Sequence, residues 1–597
     1  MVLQNLIFPS PDTCTEEEMY FRRNGEVDYT WAEKRIRVRP DGAIYFDTYF
    51  NSFSIGKWGK YTKLNHVYLT LKFKGKIRIT LVRKERNGNE IINHYINEAV
   101  VSSSGEGISL KFSDADLAGI YSFDILAIRE SVILGGYYWT DIEDEEIDDV
   151  KLALDICTFK RERFVKKNME LIQSRLFEQE EYREFREKIE VYLIDNAGTL
   201  KGREVEKKYI HLIKNKNVGG AGGFTRGLME IKRRQAENGY SHALLMDDDV
   251  VLEPESLFRT WSLLRIIKEE FKGAFIGGAM LRLDRPYIQV ESGAYWNQGS
   301  LISRKGGLDF RGVEPCLYNE IEEKVDYCAW WYCTIPLEVV KEDNLPLPIF
   351  IRGDDVEYGL RNAEKVILMN GICVWHEAFE NKYSSTMFYY ILRNRLIDNA
   401  IHNCPLGKKE FVRIMKKQAI EELYLYRYKN VRLLLQGVKD FYKGIDWFKE
   451  QDGQALHKKV MDGGYKMQFV EDVDAVFDYG AYEQSFSQPE DFSFTHRLIR
   501  KITMNGTLLK PKKENAVIPV LGGRQICVFR VNRIMNYDKA NQKGFATMRD
   551  AKEAIECMRL LKETIRETDK RYDEINREYY VRGKELMSWE FWENYLR

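Results

Sequence analysis

The spacing of apolar and polar residues changes twice along this chain of 597 residues. Residues 40–148 alternate at period two, most clearly in VYLTLKFKGKIRITLVRK, where Val67, Leu69 and Phe73 share one face. Clusters of Gly, Asn and Ser separate these segments. The pattern predicts an antiparallel β-sandwich or barrel as a first domain over residues 1–148.

The middle of the chain, residues 149–395, alternates short buried strands with longer helical segments. The segments KLALDICTF, EVYLIDN, YIHLIK, SHALLMDDD and AFIGGAM are predicted to be strands. This alternation is typical of an α/β domain with a doubly wound, Rossmann-like sheet. From residue 396 to 597, apolar residues recur every three or four positions, as in EFVRIMKKQAIEELYLY and ATMRDAKEAIECMRLLKETIRE, which predicts a helical domain.

Composition narrows the functional classes. The 91 basic and 92 acidic residues give a net charge of -1, so no global positive field favours nucleic acid. No apolar stretch approaches the ~20 residues of a membrane span, and we expect a soluble, cytoplasmic protein. The nine cysteines form no CxxC pair, which favours reduced thiols over disulfides or a zinc site.

Polar residues collect where the predicted strands of the α/β domain end, the edge at which such sheets bind ligands. Thr158 and Arg161 follow the first strand, and Asp195 and Asn196 follow the second, all suited to contacts with a nucleotide. The segment NVGGAGGFTRG then places four glycines before a helix. Such a loop either approaches an anion at the helix N-terminus or is simply a tight turn.

Three consecutive aspartates end the strand SHALLMDDD. Alternate side chains of a strand point the same way, so Asp247 and Asp249 are expected to converge while Asp248 faces elsewhere. Two converging carboxylates suit a hard divalent cation that bridges phosphates, whereas the alternative is a solvated acidic turn. His376, in CVWHEAF, is either a third ligand or a structural histidine.

A second acidic segment, IFIRGDDVEYGLR, is predicted to follow a strand and to begin a helix. Asp354 and Glu357 fit a capping box, which leaves Asp355 as the candidate general base. Upstream, in DYCAWWYCTIP, Trp330 and Trp331 cannot both face the core from one strand, so at least one is expected to line a pocket or stack on a sugar. Plain core aromatics are the alternative.

Taken in order, CTFKR, IDN, NVGGAGGFTRG, MDDDV, WW, GDDVEYG and VWH resemble the motifs of inverting family 2 glycosyltransferases with a GT-A fold. The resemblance is greatest to the bacterial galactofuranosyltransferases that polymerise galactofuranose. It includes the layout of an N-terminal β-domain and a C-terminal helical region. One departure is Gly353, which stands where the related polymerase has a bulky residue before its paired aspartates.

The resemblance implies a transfer of galactofuranose from a UDP-sugar to a glycan or lipid-linked glycan in bacterial cell-surface polysaccharide synthesis. It implies that Asp247, Asp249 and His376 bind Mn²⁺ or Mg²⁺ and that Asp355 is the base. The donor could instead be dTDP-rhamnose or a UDP-hexopyranose. The remaining implied contacts are Thr158, Arg161, Asp195, Asn196 and Asn217, with Asp247, for the nucleotide, and Trp330, Trp331, Asp354 and Glu357 for the acceptor.

Two rival classes share some of these features. A haloacid-dehalogenase-type phosphotransferase also uses an Asp-x-Asp, but on the first strand of its domain. A noncatalytic glycan-binding protein would need only the β-domain. The basic segments GKKEFVRIMKK and LYRYKNVRLLL are either solvated helix faces or contacts with the inner face of the plasma membrane, and a homo-oligomer is compatible with the sequence.

Overall fold

The computed structural model describes residues 1–113, 116–297, 299–379, 382–473, 477–487 and 494–597. It is a mixed α/β structure with a β-rich N-terminal part and a mostly helical C-terminal part. Among these residues, no helix combines the length and the apolar character needed to cross a membrane.

The N-terminal part is a barrel-like antiparallel sheet, in which nine strands of the described chain pair in the order β2-β5-β8-β6-β9-β4-β3, with β1 on β9 and β7 on β6. The 21-residue strand β6 pairs with β7 along its length, with β9 over its first half and with β8 over its second. Val67, Leu69 and Phe73 are buried, as the alternation predicted. The elements are β1 (Val2–Asn5), β2 (Arg22–Asn24), β3 (Val27–Thr30), β4 (Arg35–Val38), β5 (Ala43–Tyr45), α1 (Ile55–Tyr61), β6 (Val67–Asn87), β7 (Glu90–Phe112), β8 (Ile120–Ala127) and β9 (Ser131–Trp139).

The central part is a mixed sheet flanked by helices. The strands of the described residues pair in the order β12-β11-β10-β13-β19-β15-β20-β14, with β16 on β15. The five predicted strands are confirmed. Within the sheet, β10, β11, β12 and β13 run parallel to one another. The strands are β10 (Leu152–Thr158), β11 (Ile189–Asp195), β12 (Ile210–Lys214), β13 (His242–Asp247), β14 (Val251–Leu252), β15 (Phe275–Arg282), β16 (Gln289–Glu291), β17 (Ala294–Asn297), β18 (Ser300–Ser303), β19 (Cys333–Pro336) and β20 (Val366–His376). The helices are α2 (Glu162–Ile172), α3 (Gly202–Val205), α4 (Gly219–Arg233), α5 (Gln235–Asn238), α6 (Pro254–Arg265), α7 (Val313–Glu320) and α8 (Asp354–Asn362).

The C-terminal part contains helices and a small sheet that periodicity did not predict. The helices are α9 (Met387–Ile401), α10 (Lys408–Tyr424), α11 (Tyr428–Phe441), α12 (Ile445–Glu450), α13 (Gly453–Gly463), α14 (Gln484–Ser487), α15 (Phe494–Ile502), α16 (Ala551–Arg582) and α17 (Trp589–Leu596). The strands β21 (Gln468–Phe469), β22 (Lys513–Pro519), β23 (Val531–Asp538) and β24 (Lys543–Met548) pair in the order β21-β24-β23-β22. The start of the predicted helix ATMRDAKEAIE is therefore wrong, because Ala546, Thr547 and Met548 belong to β24.

The three parts share buried surface. One apolar cluster runs from the N-terminal sheet into the central sheet, and the buried Glu255 of α6 accepts hydrogen bonds from the backbone and side chain of Asn5. At the other end, Trp592 of α17 is fully buried against the central part and donates to the carbonyl of Pro346 at 2.9 Å. The central sheet is thus covered by elements from both ends of the chain.

Two local expectations are corrected by the packing. The segment before Asp354 is not a strand, since residues 346–353 are irregular. The basic segment LYRYKNVRLLL forms most of the first half of α11, whose Val431, Leu434 and Leu435 are buried. It is a core helix, so it does not offer an apolar face to a membrane.

Candidate active site

The candidate site lies where β10, β11 and β13 end side by side. Cys157 of β10 pairs with Asp247 of β13, and Thr158 pairs with Asp195 of β11. Strands β11 and β12 lie on one side of β10 and β13 lies on the other. In open α/β sheets, such a reversal of strand order opens a crevice at the carboxyl ends of the strands. The topology therefore gathers the strand-end residues that the sequence singled out.

Asp248 lies in the turn that follows β13, and residues at and after the end of β10 hold its carboxylate. Its Oδ2 accepts a hydrogen bond from Thr158 Oγ1 at 2.7 Å, and its Oδ1 accepts one from Arg161 Nη1 at 3.0 Å. Burial raises the pKa of this carboxyl, while Arg161 and Thr158 oppose the rise. Asp248 thus fixes the loop after β10 to the end of β13.

Asp247 and Asp249 converge with His376, which ends β20. One ligand atom from each of the three residues lies within 4.8 Å of the other two, and His376 Nε2 is 3.3 Å from Asp249 Oδ1. Asp249 is buried, yet His376, Arg161 and Lys382 hold the pKa of its carboxyl well below the usual range. Burial and the two adjacent aspartates raise the pKa of Asp247.

These three residues fit a divalent metal ion. Two carboxylates and one imidazole are hard and borderline donors of the kind that bind Mn²⁺, and their atoms are close enough to share one ion. Among the described residues, His376 Nδ1 is buried without a hydrogen-bond partner, and Nε2 is the nitrogen that faces Asp249. The donor set is therefore compatible with a bound divalent cation.

The predicted nucleotide residues lie near this cluster, but several are engaged by the protein itself. The buried Asp195 accepts from the backbone N–H groups of Ala197 and Gly198 at 2.9 Å and from that of Leu200 at 2.8 Å. Its carboxylate organises the loop after β11, and a contact with a base or ribose remains a prediction.

The two predicted asparagines meet at the start of α4. Asn196 Nδ2 donates to the carbonyl of Gly219 at 2.9 Å, and its Oδ1 accepts from Asn215 Nδ2 at 2.8 Å. Asn217 Oδ1 accepts from Gly219 N at 3.3 Å. Asn196 is buried and Asn217 is partly exposed beside the start of α4, and their contact with a nucleotide remains a prediction.

The glycine-rich segment is the first part of helix α4 rather than a loop, which corrects the sequence interpretation. A Cβ at Gly223 would lie 2.0 Å from Cys157 Sγ, and a Cβ at Gly227 would lie 2.1 Å from Asp155 Oδ1. Gly219 has φ +79° and packs against the carbonyl of Phe350. The glycines let α4 approach β10 closely and bring its N-terminus to the crevice.

Asp355 is the more accessible of the paired aspartates at the start of α8. It is partly exposed, whereas Asp354 is 8% exposed. Burial raises the pKa of Asp355 to about 6 against the opposing hydrogen bond from Val356 N at 2.8 Å. Burial and the Asp355 charge raise the pKa of Asp354 to about 8. At neutral pH, Asp355 is therefore the ionised member of the pair.

The predicted capping box is wrong. Gly353, with φ +100°, occupies the N-cap position and has no side chain to cap the helix, while Asp354 is already its first residue. The fully buried Glu357 instead pairs with Arg361 through two contacts of 2.9 Å and lies 3.4 Å from His402. The Arg361 charge holds the pKa of Glu357 at about 2 despite burial, so this carboxylate anchors α8. Acceptor contacts by Asp354 and Glu357 remain predictions.

A buried pair on α9, which sequence reasoning missed, holds the segment before α8. Asn394 Nδ2 donates to the carbonyls of Ile351 at 2.7 Å and Arg352 at 2.8 Å, and Arg393 Nη2 donates to that of Ile349 at 2.7 Å. Arg352 has φ +67°, a strained value for a side chain of this size. The sequence signal of the α9 pair is its polarity within the mostly apolar segment YYILRNRLI, in which Arg395 is also charged.

The glycine at 353 also has a structural reason. Its positive φ suits glycine, and a Cβ there would lie 2.6 Å from Asp398 Oδ2. No bulky side chain fits this position in the present packing. The packing of Asp398 on α9 therefore explains why glycine occupies this position.

A second carboxyl near Asp355 was not predicted. Glu291, at the end of β16, accepts hydrogen bonds from Ser303 Oγ and, at 3.4 Å, from Tyr327 Oη. Burial raises its pKa to about 7, and the charge of Asp355 contributes to the rise. A lone glutamate in IQVESG carries no motif, so only the folded chain places it beside the candidate base.

Trp330 and Trp331 lie in a turn before β19, and both are buried. They are 4% and 6% exposed, which fits the alternative of core aromatics. Trp330 packs edge-on against Phe224 and Tyr358, and Trp331 Nε1 donates to the carbonyl of Gly278 at 2.9 Å. Their contact with an acceptor remains a prediction.

Comparison with known proteins agrees with the resemblance. Residues 3–153 match the family model described as galactofuranosyltransferase 2 N-terminal. Galactofuranosyltransferase GlfT2 of Mycolicibacterium smegmatis is 25% identical over 501 residues, which cover 74% of this chain and 71% of that protein. GlfT2 of Mycobacterium tuberculosis is 25% identical over 480 residues, covering 74% and 72%.

Solved structures add little. The CBM22-1 and GH10 modules of the Clostridium thermocellum xylanase 10B match with a TM-score of 0.17 and 7% identity, covering 32% of this chain and 38% of that chain. A similarity this low supports no inference about fold. The sequence relatives show that the chain resembles bacterial galactofuranosyltransferases and is an enzyme of the glycosyltransferase class.

Proposed function

We propose that this chain is an inverting, metal-dependent family 2 transferase with a GT-A fold, which moves galactofuranose from UDP-galactofuranose to a hydroxyl of a growing glycan. The observation that carries the proposal is the convergence of Asp247, Asp249 and His376 at the end of the sheet, with the accessible carboxylate of Asp355 nearby. The charge of Asp355 is close enough to raise the pKa of Asp247.

The donor side of the site is assigned to the crevice at the ends of β10, β11 and β13. Arg161 offers a cation beside Asp248 and Asp249, and it is well placed to contact a diphosphate. Asn196 and Asn217 border the same crevice and could contact the uracil or the ribose. The chain thus positions the donor with its phosphates toward the aspartates.

The acceptor hydroxyl is activated by Asp355. Its carboxylate takes the hydroxyl proton while the acceptor oxygen attacks the anomeric carbon from the face opposite the diphosphate. A new carbon–oxygen bond forms, the bond from the anomeric carbon to the phosphate oxygen breaks, and UDP leaves. A pKa of about 6 keeps Asp355 ionised at neutral pH and still basic enough to accept the proton.

A divalent cation held by Asp247, Asp249 and His376 would supply positive charge to the departing diphosphate. The three side chains orient that charge, and Asp248 keeps the neighbouring Arg161 in place. Mn²⁺ and Mg²⁺ are both suited to the carboxylates.

The remaining parts of the proposal concern the whole chain. We divide it into a β-domain over residues 1–148, a catalytic domain over 149–395 and a helical domain over 396–597. We place the enzyme in the cytoplasm, at the inner face of the plasma membrane if its acceptor is lipid-linked. The exposed basic side chains of α10 are the part of this region that we assign to a membrane contact. The apolar residues of α11 are buried in the protein and are not part of that contact.

The test is a donor screen with the full-length chain, Mn²⁺ and a galactofuranosyl oligosaccharide acceptor. UDP release and glycan mass are measured with UDP-galactofuranose, UDP-galactopyranose, UDP-glucose and dTDP-rhamnose. We expect acceptor-dependent transfer with UDP-galactofuranose and at least about 10²-fold lower rates with the other donors. Asp355→Asn serves as the inactive control.

Transfer from another donor at an equal or higher rate would overturn the assignment of the sugar. Sugar transfer by Asp355→Asn at the wild-type rate would overturn the assignment of the base. A covalent phosphoaspartate formed without an acceptor would favour the phosphotransferase instead.

A further inference from the structure

Lys382, six residues after His376, lies within the cluster assigned to the divalent cation. Its Nζ is 2.5 Å from Asp249 Oδ2 and 2.8 Å from His376 Nε2. Asp249 and His376 are two of the three residues whose ligand atoms converge. The ammonium therefore uses groups that a metal ion would need.

The chemistry of these contacts makes them competitive with a metal. An ammonium group only donates hydrogen bonds, so its 2.8 Å contact with His376 uses the lone pair of Nε2. A metal ion binds the same lone pair and needs the carboxylate as well. His376 Nε2 cannot serve Lys382 and a cation at once, and Asp249 Oδ2 is already shared with Arg161 at 2.6 Å.

The electrostatics of the site explain why a cation is needed there at all. Three aspartates in a row repel one another when they are ionised. Arg161 and Lys382 are the cations that contact Asp249 among the described residues. Lys382 thus replaces part of the charge that a divalent ion would bring.

The surroundings allow the side chain to leave without moving its segment. Tyr383 Oη accepts from Asn430 Nδ2 at 2.9 Å, and the Tyr383 ring stacks on Phe545 with centroids 5.3 Å apart. His376 is fixed at the end of β20. The lysine side chain is 27% exposed and has four flexible methylene groups, so it can turn toward solvent.

We propose that Lys382 is a built-in competitor of the divalent cation: its ammonium holds Asp249 and His376 together in the unloaded site, and cation binding requires it to leave. The inference rests on the proposed metal dependence. It assigns to Lys382 a role in setting the affinity and the selectivity of that site, because a weakly binding ion cannot displace two charged contacts.

The test compares Lys382→Met with the wild type and with Lys160→Met, all as full-length chains without nucleotide. Methionine keeps most of the side-chain length and removes the charge. Lys160 lies next to Arg161, is exposed and has no ion pair among those found in the described residues, so it controls for the loss of one nearby charge. Mn²⁺ affinity is measured by calorimetry and by the electron paramagnetic resonance signal of free Mn²⁺.

We expect Lys382→Met to bind Mn²⁺ about tenfold more tightly or better, since the ion no longer breaks two charge-assisted hydrogen bonds. Lys160→Met should remain within about threefold of wild type, because an exposed charge is screened. Without metal, Lys382→Met should also unfold at a lower temperature, and saturating Mn²⁺ should raise its Tm by more than it raises that of the wild type.

Equal or weaker Mn²⁺ affinity of Lys382→Met, with normal binding by the wild type, would overturn the inference and leave the proposed function intact. Equal Mn²⁺-induced rises in Tm would do the same if the variant is too unstable for calorimetry. Absence of Mn²⁺ binding by both the wild type and Lys160→Met would overturn the metal site itself, and the inference with it.

Discussion

Replacing Asp355 with asparagine removes the proton-accepting oxygen and preserves the size of the side chain. The amide oxygen of the new side chain can still accept the hydrogen bond that Val356 N donates at 2.8 Å, so helix α8 should begin as before. Loss of a general base lowers turnover by about 10²- to 10⁴-fold. Mn²⁺ and UDP affinities should stay near wild type, since Asp355 is not among the converging metal ligands.

The structure also sets the pH dependence. With a pKa raised to about 6, Asp355 is mostly ionised above that pH and mostly protonated well below it. Because the base works only when it is deprotonated, kcat/KM of the wild type should rise with pH and reach half of its plateau near pH 6. The residual activity of Asp355→Asn should lack this rise.

Asp354→Asn is the matched control, since it makes the same chemical change one residue away. The pKa of Asp354 is raised to about 8, so this buried group is mostly protonated at pH 7 and already resembles a neutral amide. We expect its activity to fall less than about fivefold, because no base is lost. Initial rates of UDP release from pH 5 to 8 and urea unfolding measure both variants.

Equal losses of activity in the two variants would refute the reasoning, as would transfer by Asp355→Asn at a near wild-type rate. A pH profile that is the same in Asp355→Asn and the wild type would show that another group titrates. Glu291, whose pKa is raised to about 7, would then be the next candidate, since Glu357 is fully buried in an ion pair.

Three further predictions concern the site and its support. In calorimetry, Asp249→Asn should no longer bind Mn²⁺, whereas Asp248→Asn should still bind it. EDTA should abolish sugar transfer by the wild type, and transfer that persists in EDTA would contradict the metal dependence. Trp330→Ala should lower the free energy of unfolding in urea by about 3–5 kcal/mol, because a large buried ring is deleted, and a stable variant with only a raised acceptor KM would speak against a core role. Asn394→Ala should lower kcat with Mn²⁺ affinity unchanged, because the carbonyls of Ile351 and Arg352 lose their donor; an unchanged kcat would rule out the positioning role.

The sequence by itself determined the features that depend on short-range spacing. Strand alternation placed Val67, Leu69 and Phe73 in the core of the N-terminal sheet. This prediction held because side-chain direction in a strand follows from the backbone alone. Asp247 and Asp249 also converge as predicted, but Asp248 and Asp249 lie in the turn after β13, so strand alternation is not the reason. Motif order was also informative, since it pointed to the glycosyltransferase class before any fold was known.

Local pattern misled where packing decides. The glycines of α4 are predicted to form a loop before a helix. In the structure they lie in the helix, and their lack of a side chain lets α4 pack against Cys157 and Asp155 of β10. The tryptophan pair is predicted to lie on a strand, and both rings are buried in the turn before β19. In both segments, only the neighbouring elements show how closely the residues are packed.

Only the tertiary structure decided which distant residues share the site. Lys382 contacts Asp249 across 133 positions, and Tyr327 and Ser303 reach Glu291 from other segments of the central part. Asn394 holds the backbone before Asp355 from a helix that carries no motif. Such contacts depend on how strands and helices pack. The amino-acid sequence includes both residues of each contact but does not give the distance between them. The sequence therefore identified the aspartates of the site but not Glu291, and the fold decided which of these groups are paired, buried or free to accept a proton.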